Sequence, residues 1–134
     1  MDLSQQDKQL IRDSFVKIAP RKQQAGEIFY ARLFEKDPSL RAMFHRAPIE
    51  TQATKLTQVF EWVVERLDRV PELKAELTAL GEKHAEYGVK VDHYPLVGSA
   101  LVWTLKKTLG SEFSPEAEDA WIELYTYLSN QMEP

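Results

Sequence analysis

Cysteine is absent from the 134 residues. Disulfides, zinc ribbons, iron–sulfur clusters and thiol chemistry are therefore excluded, and any metal has to be held by His, Asp, Glu or a cofactor. Glycine is scarce, at 5 residues. No alternating strand pattern bounded by turn signals occurs, so the chain reads as all helix. There is no apolar run of about 18 residues, and the opening Met1 to Asp7 lacks the apolar centre of a signal peptide. These absences predict a cytoplasmic protein with no membrane partner. Positive charge is also short. The net charge is −4, and no clustered basic face is available to neutralise phosphates, which argues against nucleic acid. The remaining composition, 43% hydrophobic and 28% charged, is that of a globular protein. Residues 1–134 suffice for a single domain with a sizeable core.

The apolar spacing predicts six or seven helices. Ser4 with Asp7 three residues on predicts an N-cap for a first helix ending near Ile18, with Ile11, Phe15 and Ile18 inward. Pro20 breaks it. A second helix is expected over about 21–35, and Pro38 opens a short turn bearing Leu40, Met43 and Phe44. Pro48 precedes a helix whose inner row is Ile49, Ala53, Leu56, Phe60, Val63 and Leu67. Pro71 is expected to start the next helix and Gly88 to stop it. Asp92 should cap a helix with Pro95 in its first turn, running to Leu109. Ser114 and Pro115 suit the N-cap and first position of a last helix, ending near Met132. The short connections imply one helical bundle.

One row of that pattern is anomalous. Leu73, Leu77, Leu80, His84 and Tyr87 are spaced 4, 3, 4 and 3 apart, the repeat of one buried helix face. An imidazole in that row puts a nitrogen where hydrocarbon is expected. It either finds a hydrogen-bond partner in the core or binds something, because an unsatisfied buried polar group is costly.

Several stretches bear on that choice: Phe29 to Phe34, Pro38 to Phe44, Leu80 to Val89, His93 to Gly98, and Ala120-Trp121. In this order they resemble the globins, and more narrowly the bacterial single-domain haemoglobins and the haem domain of flavohaemoglobins. The resemblance spans nearly the whole chain. It implies the all-α globin fold around a haem pocket, haem b as cofactor, and His84 as the proximal iron ligand. Phe44 would pack flat on the porphyrin, although a phenylalanine ending a short helix is also ordinary core. Leu56, Val89, Tyr94 and Val97 would add cofactor contacts, and Lys55 and Lys83 could pair with haem propionates or simply be solvated. Gly26 and Ala53 fall where globins use small residues to let two helices cross closely.

The resemblance also places Tyr30 and Gln52 on the distal side, as donors to a bound diatomic ligand. From the residues alone, Tyr30 could equally be core and Gln52 solvated. His45 and His93 are expected to face solvent. Trp121 and Tyr125, one turn apart, are expected to pack the last helix. Flavohaemoglobins back the proximal histidine with a tyrosine and a glutamate. Tyr94 matches the tyrosine. The glutamate is not matched, because Glu133 lies nearer to Trp121 than that pattern wants. The imidazole should then stay neutral and donate weakly.

The implied function is reversible binding of O2, CO and NO, as a carrier, buffer or sensor. An enzyme is the alternative: an NO dioxygenase oxidising NO to nitrate with O2, using Tyr30, Gln52 and Tyr94 and a separate reductase. A helical interaction domain without cofactor is a third reading, decided by the presence or absence of a Soret band.

Overall fold

In the computed structural model, described for residues 3–44 and 47–133, local chemistry sets most helix ends. Helix α1 spans Gln5–Ile18. The Ser4 hydroxyl accepts from the Asp7 N–H at 3.0 Å, and the Asp7 carboxylate accepts from the Ser4 N–H at 3.1 Å. This reciprocal cap satisfies two orphan donors and is what the Ser4–Asp7 spacing predicts. Pro20 lies in a single 3-10 turn, Ala19–Arg21, that leads into α2, Lys22–Lys36. A longer 3-10 segment, Pro38–Phe44, follows. Helix α3 covers Ile49–Val64, α4 Lys74–Glu86, α5 His93–Leu109 and α6 Pro115–Met132. Ser114 caps α6 by accepting from the Ala117 N–H at 3.1 Å. Asp92 stands at the N-cap of α5, but its side chain makes no capping bond.

The expectation for α4 needs two corrections. Pro71 does not start that helix. It sits inside a 3-10 segment, Leu67–Leu73, kinked at Arg69, whose φ of −140° is not helical. Leu67 and Leu73 are buried from that segment, not from α3 and α4. Pro71 falls there because its missing N–H is tolerated where the regular ladder is already broken. At the other end Tyr87 is 67% exposed, so it leaves the buried row. Helix α4 meets α6 at Gly81, and Tyr87 lies six residues beyond that contact. Gly88, at φ +96°, then turns the chain in a conformation that suits glycine.

The helices pack face to face around one core, as an all-α domain requires. Helix α2 lies against α3 and α5, while α6 lies against α1, α4 and α5. Trp121, Ile11, Leu67, Leu77, Leu124, Val63 and Val70 are its largest fully buried side chains. The α2–α3 crossing is close. A Cβ on Gly26 would stand 2.8 Å from the Ala53 Cβ and 3.0 Å from the Ala53 carbonyl oxygen. Only a small residue on each helix permits this, as the sequence implied. No described helix is long and apolar enough to cross a membrane.

Candidate functional site

His84 lies in the last turn of α4 and is half-buried. Its Nδ1 is 2.8 Å from the Leu80 carbonyl oxygen. A carbonyl only accepts, so this contact assigns the proton to Nδ1 and leaves Nε2 with a free lone pair. Of the two outcomes open at the sequence level, the first is met at one nitrogen only. Among the described residues, Nε2 has no partner.

Gln52 stands on α3 and His84 on α4. Among the described residues these two helices make no extended packing contact. The apolar side chains around them are accordingly left half-buried: Leu56 and Phe60 on α3, Leu96 and Val97 on α5, Met43 and Phe44 before α3. Each packs on the core along one side. Met43 reaches the end of α4, its Cε lying 4.0 Å from where a Cβ on Gly88 would stand. Phe44 continues into an aromatic group, with ring centroids 5.3 Å from Tyr30 and 5.4 Å from Phe34, both edge-on. The end of the segment Pro38–Phe44 thus touches Tyr30 on one side and approaches Gly88, just past the His84 helix, on the other.

Tyr30 is 8% exposed, and its hydroxyl has no hydrogen-bond partner among the described residues. Burial pushes this phenol up from 10.0 to about 12, so it remains a proton donor throughout the neutral range. It lies one turn along α2 from the Gly26–Ala53 crossing. Gln52, half-buried in the first turn of α3, adjoins Ala53. The two distal candidates thus stand on the two helices that cross there.

The other expected residues divide. Val89 is half-buried, whereas Lys55 and Lys83 are exposed and form no ion pair among the described residues. His93 is half-buried, not solvent-facing. Its Nδ1 accepts from the Lys90 N–H at 2.9 Å, so it closes its own turn. His45 lies outside the described residues. Tyr94 is buried and lines a cleft of about 620 Å³ between α5 and α6, together with Tyr125 and Glu133. Burial, and then the Glu133 charge, raises the Tyr94 phenol. Burial likewise raises Tyr125, helped by Tyr94 and Glu133. Glu133 is thus electrostatically close to Tyr94, a proximity its sequence spacing did not suggest. Yet the His84 N–H goes to a backbone carbonyl. Gly81 escaped the sequence reading altogether. Its only signal was a glycine with no turn to make inside a helix.

The globin family profile matches residues 27–132. The neuroglobin of Chaenocephalus aceratus is 34% identical, over 92% of this chain and 86% of its own. Those of Tetraodon nigroviridis and Danio rerio are 33% and 32% identical, each over 97% of this chain and 90% of theirs. These are vertebrate proteins, so the narrower likeness to bacterial haemoglobins finds no support in them. The all-helical bundle and this likeness agree, and the chain belongs to the globin family, a family of haem proteins.

Proposed function

We propose that this globin holds haem b through His84 and reversibly binds O2, CO and NO. One observation carries the reading. Two polar groups have no hydrogen-bond partner among the described residues: Nε2 of the half-buried His84 and the hydroxyl of Tyr30. Each is therefore free to serve a ligand, the nitrogen as a lone-pair donor to a metal and the hydroxyl as a hydrogen-bond donor. A single histidine suits a metal whose other ligands come from a macrocycle. The half-buried Phe44, Leu56, Val89 and Val97 offer the apolar walls a porphyrin needs. Lys55 and Lys83, exposed at the edges, fit its propionates. When bound, haem supplies an iron with a coordination position open to a diatomic gas. Tyr30 supplies an O–H and Gln52 an N–H toward a polar ligand on that side. His84 is oriented by the Leu80 carbonyl, a neutral acceptor that polarises the imidazole less than a carboxylate would.

His84→Ala should lose most haem affinity and lower the thermal midpoint, because haem stabilises only the native state. Wild-type haem content and an unchanged ferrous CO spectrum in that variant would refute the assignment.

A second reading, NO dioxygenase with a separate reductase, draws on the Tyr94–Glu133 proximity. It ranks second because His84 donates to a backbone carbonyl and not to that carboxylate. Repeated turnover of NO to nitrate in the presence of a reductase would reverse the order, whereas a single stoichiometric reaction is common to globins.

A further inference from the structure

Helix α4 carries His84, yet it is tied to the body of the protein at few places. Among the described residues it packs extensively only on α6 and on the segment Leu67–Leu73. Its contact with α6 is made against backbone. A Cβ on Gly81 would stand 2.6 Å from the Met132 carbonyl carbon and 2.7 Å from its Cα, and nearer still to the carbonyl oxygen. Gly81 does not adopt a positive φ, so no backbone conformation calls for glycine here. Glycine is moreover unfavourable inside a helix. What it permits is the close approach of the last turn of α6.

That turn is itself held in register. The Tyr125 hydroxyl donates to the Tyr94 carbonyl at 2.7 Å. Its ring lies flush on α5, where a Cβ on Gly98 would be 2.7 Å from Cε2. Tyr94 stands in the first turn of α5, just past the loop that leaves α4. A closed frame results, from α4 through that loop to α5, across Tyr125 to α6, and from Met132 back to Gly81. His84 is three residues beyond Gly81, its ring fixed to the same helix by Leu80.

We infer that the last turn of α6 positions His84, through the Met132 backbone seated on Gly81 and the register that Tyr125 imposes. The inference rests on the proposal that His84 ligates haem. Gly81, Met132 and Tyr125 are positioning residues. They act by setting where the whole of α4, and with it Nε2, stands relative to α3 and α5.

The test uses the full chain with Gly81→Ala, Tyr125→Phe and both together. In the ferrous haem-loaded protein the readouts are the iron–histidine stretching frequency and the CO association rate. In the haem-free chain the readout is the His84 ring in long-range proton–nitrogen spectra. Gly81→Ala should keep haem, shift the stretching band, and change the CO rate by about 2- to 30-fold. Tyr125→Phe should shift the band less, and the pair should depart from the sum, since both act on α6. Ile11→Val, a core change on α1, should leave the band in place despite lost stability. An unmoved band in Gly81→Ala, or strictly additive effects, overturns the inference. Should Gly81→Ala not fold, Tyr125→Phe decides alone: a displaced band supports the frame and an unmoved one refutes it. A band that persists in His84→Ala would instead remove the haem-ligand proposal. The haem-free ring spectra would then still judge the frame.

Discussion

Tyr30→Phe should make the haem-free protein more stable and the loaded protein worse at keeping O2. The Tyr30 side chain is 8% exposed, and its hydroxyl has no hydrogen-bond partner among the described residues. A hydroxyl largely withdrawn from water without a replacement bond costs up to about 1–3 kcal/mol. Phenylalanine keeps the ring, and with it the edge-on contacts to Phe29 and Phe44. Removing only the oxygen should therefore stabilise by about 1 kcal/mol, a rise of roughly 3–5 °C in the midpoint for a domain of this size. The gain should grow in alkali. The phenol titrates near 10 when unfolded and at about 12 when folded. Between those values the unfolded chain has lost a proton that the folded chain keeps, so the wild type loses stability as pH rises from 10 to 12. Two units correspond to roughly 3 kcal/mol, and Tyr30→Phe should abolish that part of the loss. On the proposed reading, the same hydroxyl would donate to a polar ligand in the loaded protein. That bond is worth roughly 1–3 kcal/mol, so O2 dissociation should quicken by about one to two orders of magnitude. Urea titration of the haem-free chain at neutral and alkaline pH, with stopped-flow O2 release, measures both arms. A destabilised haem-free variant with unchanged O2 release would refute the reasoning, because the hydroxyl would then serve the fold and not the ligand.

Gln52→Leu should also speed O2 release, by about tenfold for one lost hydrogen bond, while CO release changes much less. Equal effects on the two gases in stopped-flow measurements would mean that Gln52 acts by bulk alone. Gly26→Ala should destabilise by about 1 kcal/mol. The close approach to Ala53 imposes an overpacking cost of roughly 1–3 kcal/mol, which outweighs a helix-propensity gain of up to about 1 kcal/mol. A raised denaturation midpoint would show that the α2–α3 crossing yields without strain.

The amino-acid sequence determined the helices and most of their ends. Ser4, Ser114 and Pro115 act within a few residues of themselves, so their effects are legible without a fold. Periodicity picked out Ala53, Leu77 and Trp121 as inward-facing, and it flagged His84 because a single imbalance in an apolar row is a local fact. Tertiary structure decided the rest. Pro71 was misread because a 3-10 segment and a first helical turn both tolerate proline, and only the kink at Arg69 separates them. Tyr87 had the spacing of a buried residue, but burial needs a partner surface, and Tyr87 lies past the end of α4, six residues beyond its close approach to α6 at Gly81. Neither the missing partner of the Tyr30 hydroxyl nor the nearness of Glu133 to Tyr94 could be read from spacing. Both depend on which helices meet at which end. Gly81 is the plainest case: a missing Cβ has no pattern of its own, and its meaning comes from the α6 backbone that occupies the space.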